Sequence, residues 1–374
     1  MRQVYKSVCL GAFIAVSGNG HWAQGSAGEK KSSFSFSASY TGDIVSNFLG
    51  GIKKGTSYLG LANVDGRFDT GAAGLWKGGE AFANIGNTHG GEPSADLVGD
   101  FQGVSNIEAG NRSFLYELWY KQNLGKFDIT VGLQDLNVNF AANEDGSLFT
   151  NSSFGIHSSI ADNITCPIFP LTALGIHVQW NVSNTFVWKA AIFDGTPDDF
   201  SCNPYNLNWK LSENQGFLAV SEFQLSESLI KGKTGCYKLG VYYHQHNDTI
   251  NVEQQNGGFY FVGDQQLTDK LSIFSQIGLS PKNKNKNNHY YSLGFSYKGL
   301  FNKRPDDQCG IAMAHAGIHD NTIGSETTVE LAYRFSITKN IYIKPDIQYI
   351  INPAGTDMSL DNALVGFVRF GVKL

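Results

Sequence analysis

Glu326 to Ile337 reads ETTVELAYRFSI and alternates without a break between two chemically different faces. Thr327, Val329, Leu331, Tyr333, Phe335 and Ile337 share one side; Glu326, Thr328, Glu330, Ala332, Arg334 and Ser336 share the other. A period of two belongs to a β-strand, whose successive side chains point to opposite faces. The ionic face suits either the water side of an ordinary antiparallel sheet or the water-filled inside of a membrane barrel whose apolar face touches lipid. How often the pattern recurs decides between them.

It recurs to Leu374. After a Thr338-Lys339-Asn340 turn, Ile341, Ile343, Pro345, Ile347 and Tyr349 alternate with Tyr342, Lys344, Asp346, Gln348 and Ile350. After a longer loop, Leu364, Gly366, Val368, Phe370, Val372 and Leu374 alternate with Val365, Phe367, Arg369, Gly371 and Lys373. A strand left at a sheet edge invites edge-to-edge association, whereas a closed barrel pairs its last strand with its first.

Working back from there, about sixteen segments with this period are found, roughly 8 to 14 residues each. The first is expected near Phe34 to Thr41, with a long link from Asp43 to Lys53; the fourth at Arg112 to Asn123; the fifth at Lys126 to Phe140. Short links fall mostly after even strands and long ones after odd strands, as at Thr88 to Asn111, Ala141 to Ala173 and Gly195 to Gln215. The predicted fold is all-β: a transmembrane antiparallel barrel with short periplasmic turns, longer extracellular loops and both ends of the barrel chain on the short-turn side. Aromatic pairs on the apolar faces, Tyr58 with Phe68, Tyr116 with Tyr120, Tyr291 with Tyr297 and Tyr333 with Phe335, fit the two belts that bilayer interfaces favour.

The composition agrees. Of 374 residues 16% are charged and 13% aromatic, with 43 Gly and only 9 Pro, a profile of many strands and Gly turns. No apolar run reaches the roughly 18 residues of a spanning helix, so a membrane would be crossed with strands. A net charge of −5 argues against nucleic acid as a partner.

Arg2 and Lys6 precede an apolar segment, Cys9 to Val16, and then small residues, which reads as an export signal over residues 1–27. Residues 28–374 then form a single barrel domain. Four cysteines remain, Cys166, Cys202, Cys236 and Cys309; Cys166 and Cys202 fall in neighbouring loops and could pair in an oxidising compartment, or all four could be free thiols. No spacing suggests zinc or any other cofactor: His244 and His246 share a lumen face, but two ligands without a third make no site.

From Ser39 onward several words stand in order and spacing: SYTGD (Ser39 to Asp43), LWKGGEAFANIGNTHGG (Leu75 to Gly91), VGDFQGVSNIEA (Val98 to Ala109), LYELWYKQ (Leu115 to Gln122), VGLQDLN (Val131 to Asn137), LFTNSSFG (Leu148 to Gly155) and AYRFSITKNIYIKPDIQYIINPAG (Ala332 to Gly355). They resemble the carbohydrate-selective porins of the OprB family, over nearly the whole chain after the export signal. The resemblance implies a sixteen-stranded outer-membrane channel of a Gram-negative bacterium that passes sugars by diffusion, with loops folded inward to narrow the pore. Carbohydrate solutes and outer-membrane lipid are the implied partners, and a homo-oligomer stays open. The chain departs from the usual outer-membrane ending, since its last residue is Leu374 and not an aromatic.

A sugar path needs polar side chains of mixed sign and a few aromatic faces, whereas a phosphate path needs a mainly cationic lining. By parity the lumen holds Asp65, Arg67, Glu117, Lys121, Asp128, Glu222, Lys238, Glu326, Glu330, Arg334, Lys344, Asp346, Arg369 and Lys373, with acids and bases balanced. Lining residues for the solute are expected at Arg67, Glu108, Arg112, Glu117, Trp119, Asp135, Glu330 and Arg334. Arg112 and Glu108 supply donors and acceptors there and Trp119 a stacking face; Glu108 and Arg112 could equally pin the loop to the wall. No G-x-S-x-G nucleophile motif is present, and no enzyme is predicted. Three readings remain: a passive sugar porin, a general or anion-preferring diffusion porin, and a surface or adhesion barrel.

Overall fold

The computed structural model describes residues 32–248, 252–319 and 324–374; the expected export signal, residues 1–27, lies outside them. Sixteen strands run in chain order: β1 Phe34–Leu49, β2 Gly55–Asp69, β3 Gly79–Gly90, β4 Arg112–Leu124, β5 Phe127–Gln134, β6 Ala173–Asn181, β7 Phe186–Asp194, β8 Phe217–Leu225, β9 Gly235–Asn247, β10 Glu253–Gln266, β11 Leu271–Leu279, β12 Asn287–Lys298, β13 Gln308–Ile318, β14 Ser325–Ser336, β15 Ile341–Ile351 and β16 Ala363–Lys373. Each pairs antiparallel with its neighbours in sequence, and β1 pairs with β16, so the sheet closes.

The barrel is inside out relative to a soluble protein. On β14, Glu326, Thr328 and Glu330 are buried while Leu331 and Phe335 are exposed. On β15, Ile341, Ile343, Ile347 and Tyr349 are exposed while Lys344, Asp346 and Gln348 are buried. An apolar band facing outward around a polar interior is what the hydrocarbon of a bilayer requires of a strand barrel.

Three expectations are corrected. β1 does not stop at Thr41 but continues to Leu49; Asp43 is therefore mid-strand, directly opposite Arg369 of β16. β5 ends at Gln134 instead of reaching Phe140, because the Asp135 side chain accepts from the Asn137 N–H and starts a helical turn, Leu136–Asn139. Tyr116 does not share the lipid face with Tyr120. A bulge in β4 sets Glu117 opposite Asn84 and Leu115 opposite Ile85, so that Tyr116 is the extra residue; it turns inward, 5% exposed, with its hydroxyl on Asp135. All four described cysteines are free, so Cys166 and Cys202 are unpaired.

A sixteen-stranded barrel is wide enough to enclose an aqueous channel. Here two long links, residues 91–111 and 135–172, fold into that space and bring apolar side chains with them. Leu97, Val98, Val104 and Ile107 pack on Val45, Leu59, Val365 and Phe367 of the wall. Ile156 and Ile160 pack on Leu218, Tyr242 and Tyr260, and Phe149 with Phe154 on Phe274 and Tyr290. These clusters line the inner wall from β6 round to the upper parts of β2 and β4, and leave Arg67, Trp119 and Lys121, lower on β2 and β4, only partly covered.

Candidate functional site

The wall holds the inner loops by their backbones. Glu326 accepts the N–H groups of Phe101 (2.6 Å), Gln102 (2.9 Å) and Ala354 (2.8 Å). Glu330 accepts those of Thr150 and Asn151, the latter at 2.9 Å, and the Thr150 hydroxyl donates to Asp346 at 2.8 Å. Lys344 donates to the Leu148 carbonyl at 2.6 Å, Gln348 to that of Val104 at 2.8 Å and Lys189 to that of Asn139 at 2.9 Å. Glu222 takes the Ala141 N–H at 2.8 Å. Backbone groups away from bulk water need such partners, and charged acceptors make the stronger bonds. The loops also bond each other, Asn106 N–H to Thr150 O and Ser152 N–H to Gly103 O, both 2.9 Å.

The eight residues expected to line the path therefore separate by location. Glu330 is fully covered by the loop it holds. Glu108 is buried, both carboxylate oxygens accepting from the Ser94 N–H at 3.1 and 3.2 Å, which ties the helical turn Ser94–Val98. Burial, with the charge of Asp100 added, pushes the Glu108 carboxyl up to about 8; burial pushes Asp100 up to about 6. Asp135 is buried as a cap. Glu117 is nearly covered and accepts from the Trp119 ring N–H at 3.3 Å. Arg334 lies 4.3 Å over the Tyr342 ring, low on the far wall.

Arg67 and Trp119 meet on this partly covered wall. Register places Arg67, Phe82 and Trp119 in one row across β2, β3 and β4, with Glu80 and Lys121 in the next row down. The Phe82 and Trp119 rings are 4.9 Å apart; the Arg67 guanidinium sits 4.4 Å over Phe82 and the Lys121 ammonium 5.6 Å over Trp119. Glu80 bridges the two cations, 2.8 Å from Arg67 and 3.3 Å from Lys121. Gly132 stands opposite Trp119 with φ +138°, and a Cβ there would meet the Leu118 carbonyl at 2.2 Å. Glycine is what that backbone admits. Phe82 lies nearly covered, 6% exposed, beneath Arg67, so the open aromatic face is that of half-buried Trp119, backed by Phe82 and edged by donors and acceptors.

Arg112 lies at the other end of the barrel, in a mouth of about 1080 Å³ lined by Glu92, Asp199, Phe169, Phe200 and His244 among others. Its guanidinium is 4.5 Å over the Phe200 ring, and its Nε is buried with no hydrogen-bond partner among the described residues. Glu80, Phe82, Glu92 and Phe200 were not anticipated from the sequence. Glu80 and Phe82 alternate on one face within the LWKGGEAF word, so parity could have found them; Phe200, on a loop, carried no periodic signal.

A closed sixteen-stranded barrel, apolar without and polar within, narrowed by inward loops, defines an outer-membrane channel. The carbohydrate-selective porin, OprB family, matches residues 53–374, and the chain belongs to that family. Porin B of Pseudomonas aeruginosa is 24% identical, the match covering 95% of this chain and 92% of that protein. The putative porin QuiX of Acinetobacter baylyi is 23% identical over 53% of this chain and 54% of its own length. Among solved structures, OprB of Pseudomonas putida at high pH overlays with a TM-score of 0.83 at 22% identity, covering 91% of this chain and 94% of that one. The protein is an outer-membrane porin for carbohydrates.

Proposed function

We propose that a sugar enters through the mouth at Arg112 and Phe200, passes the inner loops along the lower β2–β4 wall, and leaves over the strip formed by Trp119 with Phe82 behind it. The strip carries this reading. A pyranose presents C–H faces that stack on aromatic rings and hydroxyls at its edge that both donate and accept; Arg67, Lys121 and Glu80 offer both functions within one rung. Mixed charge at the edge also favours neutral solutes over anions, which would need a cationic lining. Passage is diffusive, with no bond made or broken.

Liposome swelling with a panel of neutral sugars tests the reading. Trp119→Ala should slow hexose entry relative to a small ion, with the barrel still folded. Equal slowing of both, or of neither, would remove the strip from the path.

A further inference from the structure

The wall has a notch. β4 pairs with β5 only from Leu118 opposite Leu133 downward, because β5 stops at Gln134 and β6 begins at Ala173 while β4 continues to Arg112. The upper β4 edge thus has no strand partner on that side. The link 195–216 fills it from outside: the Leu115 N–H donates to the Tyr205 carbonyl at 3.0 Å, and the Asn206 amide donates to the Leu115 carbonyl at 3.2 Å.

The filling segment pairs polar backbone groups across its first half, Tyr205 to Asn208. Asn203, buried, accepts from the Leu207 and Asn208 N–H groups at 3.0 and 3.1 Å and donates to the Asn208 carbonyl at 2.8 Å. The Trp209 ring N–H donates to the Asn206 carbonyl at 2.9 Å, and buried Asn206 also donates to the Thr172 hydroxyl at 3.1 Å. Four large apolar side chains spaced by two are turned outward, Tyr205 60% exposed, Leu207 63%, Trp209 38% and Leu211 70%; Asn208 and Lys210 between them are exposed as well, and a lysine stem at this height can carry its ammonium to the headgroups.

The height of the segment names its surroundings. Leu115 is in register with Ile85 and Ile85 with Val64, large apolar residues on the outer wall. One rung up, the β3–β4 surface turns polar, with Asn87 donating to Ser113 at 2.8 Å. Tyr205 therefore joins the wall at the upper limit of the apolar band, where aromatic belts form. A non-strand segment at that depth needs its wall-side backbone groups paired, and Leu115, Trp209 and Asn203 pair the Tyr205, Asn206 and Asn208 carbonyls while Asn203 takes the Asn206, Leu207 and Asn208 N–H groups.

We infer that residues 204–211 are a wedge seated in the outer leaflet, replacing the missing tops of β5–β7 and presenting Tyr205, Leu207, Trp209 and Leu211 to lipid. The occupant is lipid, because the outward apolar face continues, on the same rung of the wall, the lipid-facing row of Val64, Ile85 and Leu115.

The test uses the full barrel folded into phosphatidylcholine bilayers, plain or brominated just below the headgroup. Subtracting Trp209→Phe emission from that of the wild type isolates Trp209, and brominated lipid should lower that difference roughly twofold or more. Leu211→Trp, made in the wild-type background, should add emission that is quenched in the same way, and it serves should Trp209→Phe not fold. Two results overturn the inference. Emission quenched by aqueous iodide but not by brominated lipid would put the segment in water; emission shielded from both would put a second copy of the chain over it.

Discussion

Asp43 and Arg369 close the barrel with a two-point pair: Arg369 Nε lies 2.6 Å from one Asp43 carboxylate oxygen and Nη2 2.7 Å from the other, with both side chains covered. They stand directly opposite in the register of the first and last strands, and Ser105 of an inner loop donates to the same carboxylate at 2.7 Å. Removing one partner strands the other charge. Asp43→Ala should lower unfolding stability by roughly 3–5 kcal/mol, and the double variant Asp43→Ala/Arg369→Ala should recover part of that. Denaturant midpoints of Asp43→Ala, Arg369→Ala and the double variant measure it; additive losses would show that the pair is not coupled.

Glu330 is a loop anchor in this structure, so its loss should widen the channel. In Glu330→Ala the Thr150 and Asn151 N–H groups lose their acceptor, a penalty of about 1–3 kcal/mol for each one left buried. Single-channel conductance should rise and larger oligosaccharides should enter liposomes faster. Unchanged conductance would mean that the remaining anchors hold the link 135–172 by themselves.

The Glu108 carboxyl, raised by burial from its ordinary 4.5 to about 8, makes the link 91–111 sensitive to pH. A raised acid favours its protonated form in the fold, so its contribution to loop anchoring is full below 4.5 and is lost as pH rises through 8. Hydrogen exchange of residues 91–111, corrected for the chemical rate, should be more protected at pH 5 than at pH 9. Glu108→Gln should flatten that difference, and a Glu108→Gln profile matching the wild type would assign it to other groups.

Arg112 is half-buried at the mouth and stacked on Phe200, so Arg112→Ala should slow sugar entry severalfold while leaving thermal unfolding nearly unchanged. Swelling rates and a melting curve on the same preparation check both halves of this expectation.

The strands are legible because lipid and water impose opposite demands on alternating residues, and the centres of β14 and β15 obey them. The errors fall where inner loops supply a second apolar environment. Leu61, Phe114, Val365 and Phe367 face inward against the loops and Phe82 lies beneath Arg67, so an apolar residue on a strand does not always mark the lipid side. Gly42-Asp43 resembles a turn in sequence, yet the pair with Arg369 draws it into β1. VGLQDLNVNF keeps a period of two past the point where the Asp135 cap ends β5. The anchoring role of Glu326, Glu330 and Lys344 was beyond sequence because nothing in their strands says which loop backbone lies above them.

Whether sugar travels over the Trp119 face that Phe82 backs is asked directly by single-channel current under titration with a neutral hexose. The wild type should show a saturable fall in ion current as sugar occupies the strip, and Phe82→Ala/Trp119→Ala should need about tenfold more sugar for the same effect, the equivalent of 1.4 kcal/mol of lost stacking. Identical titration curves for the two proteins would contradict this route.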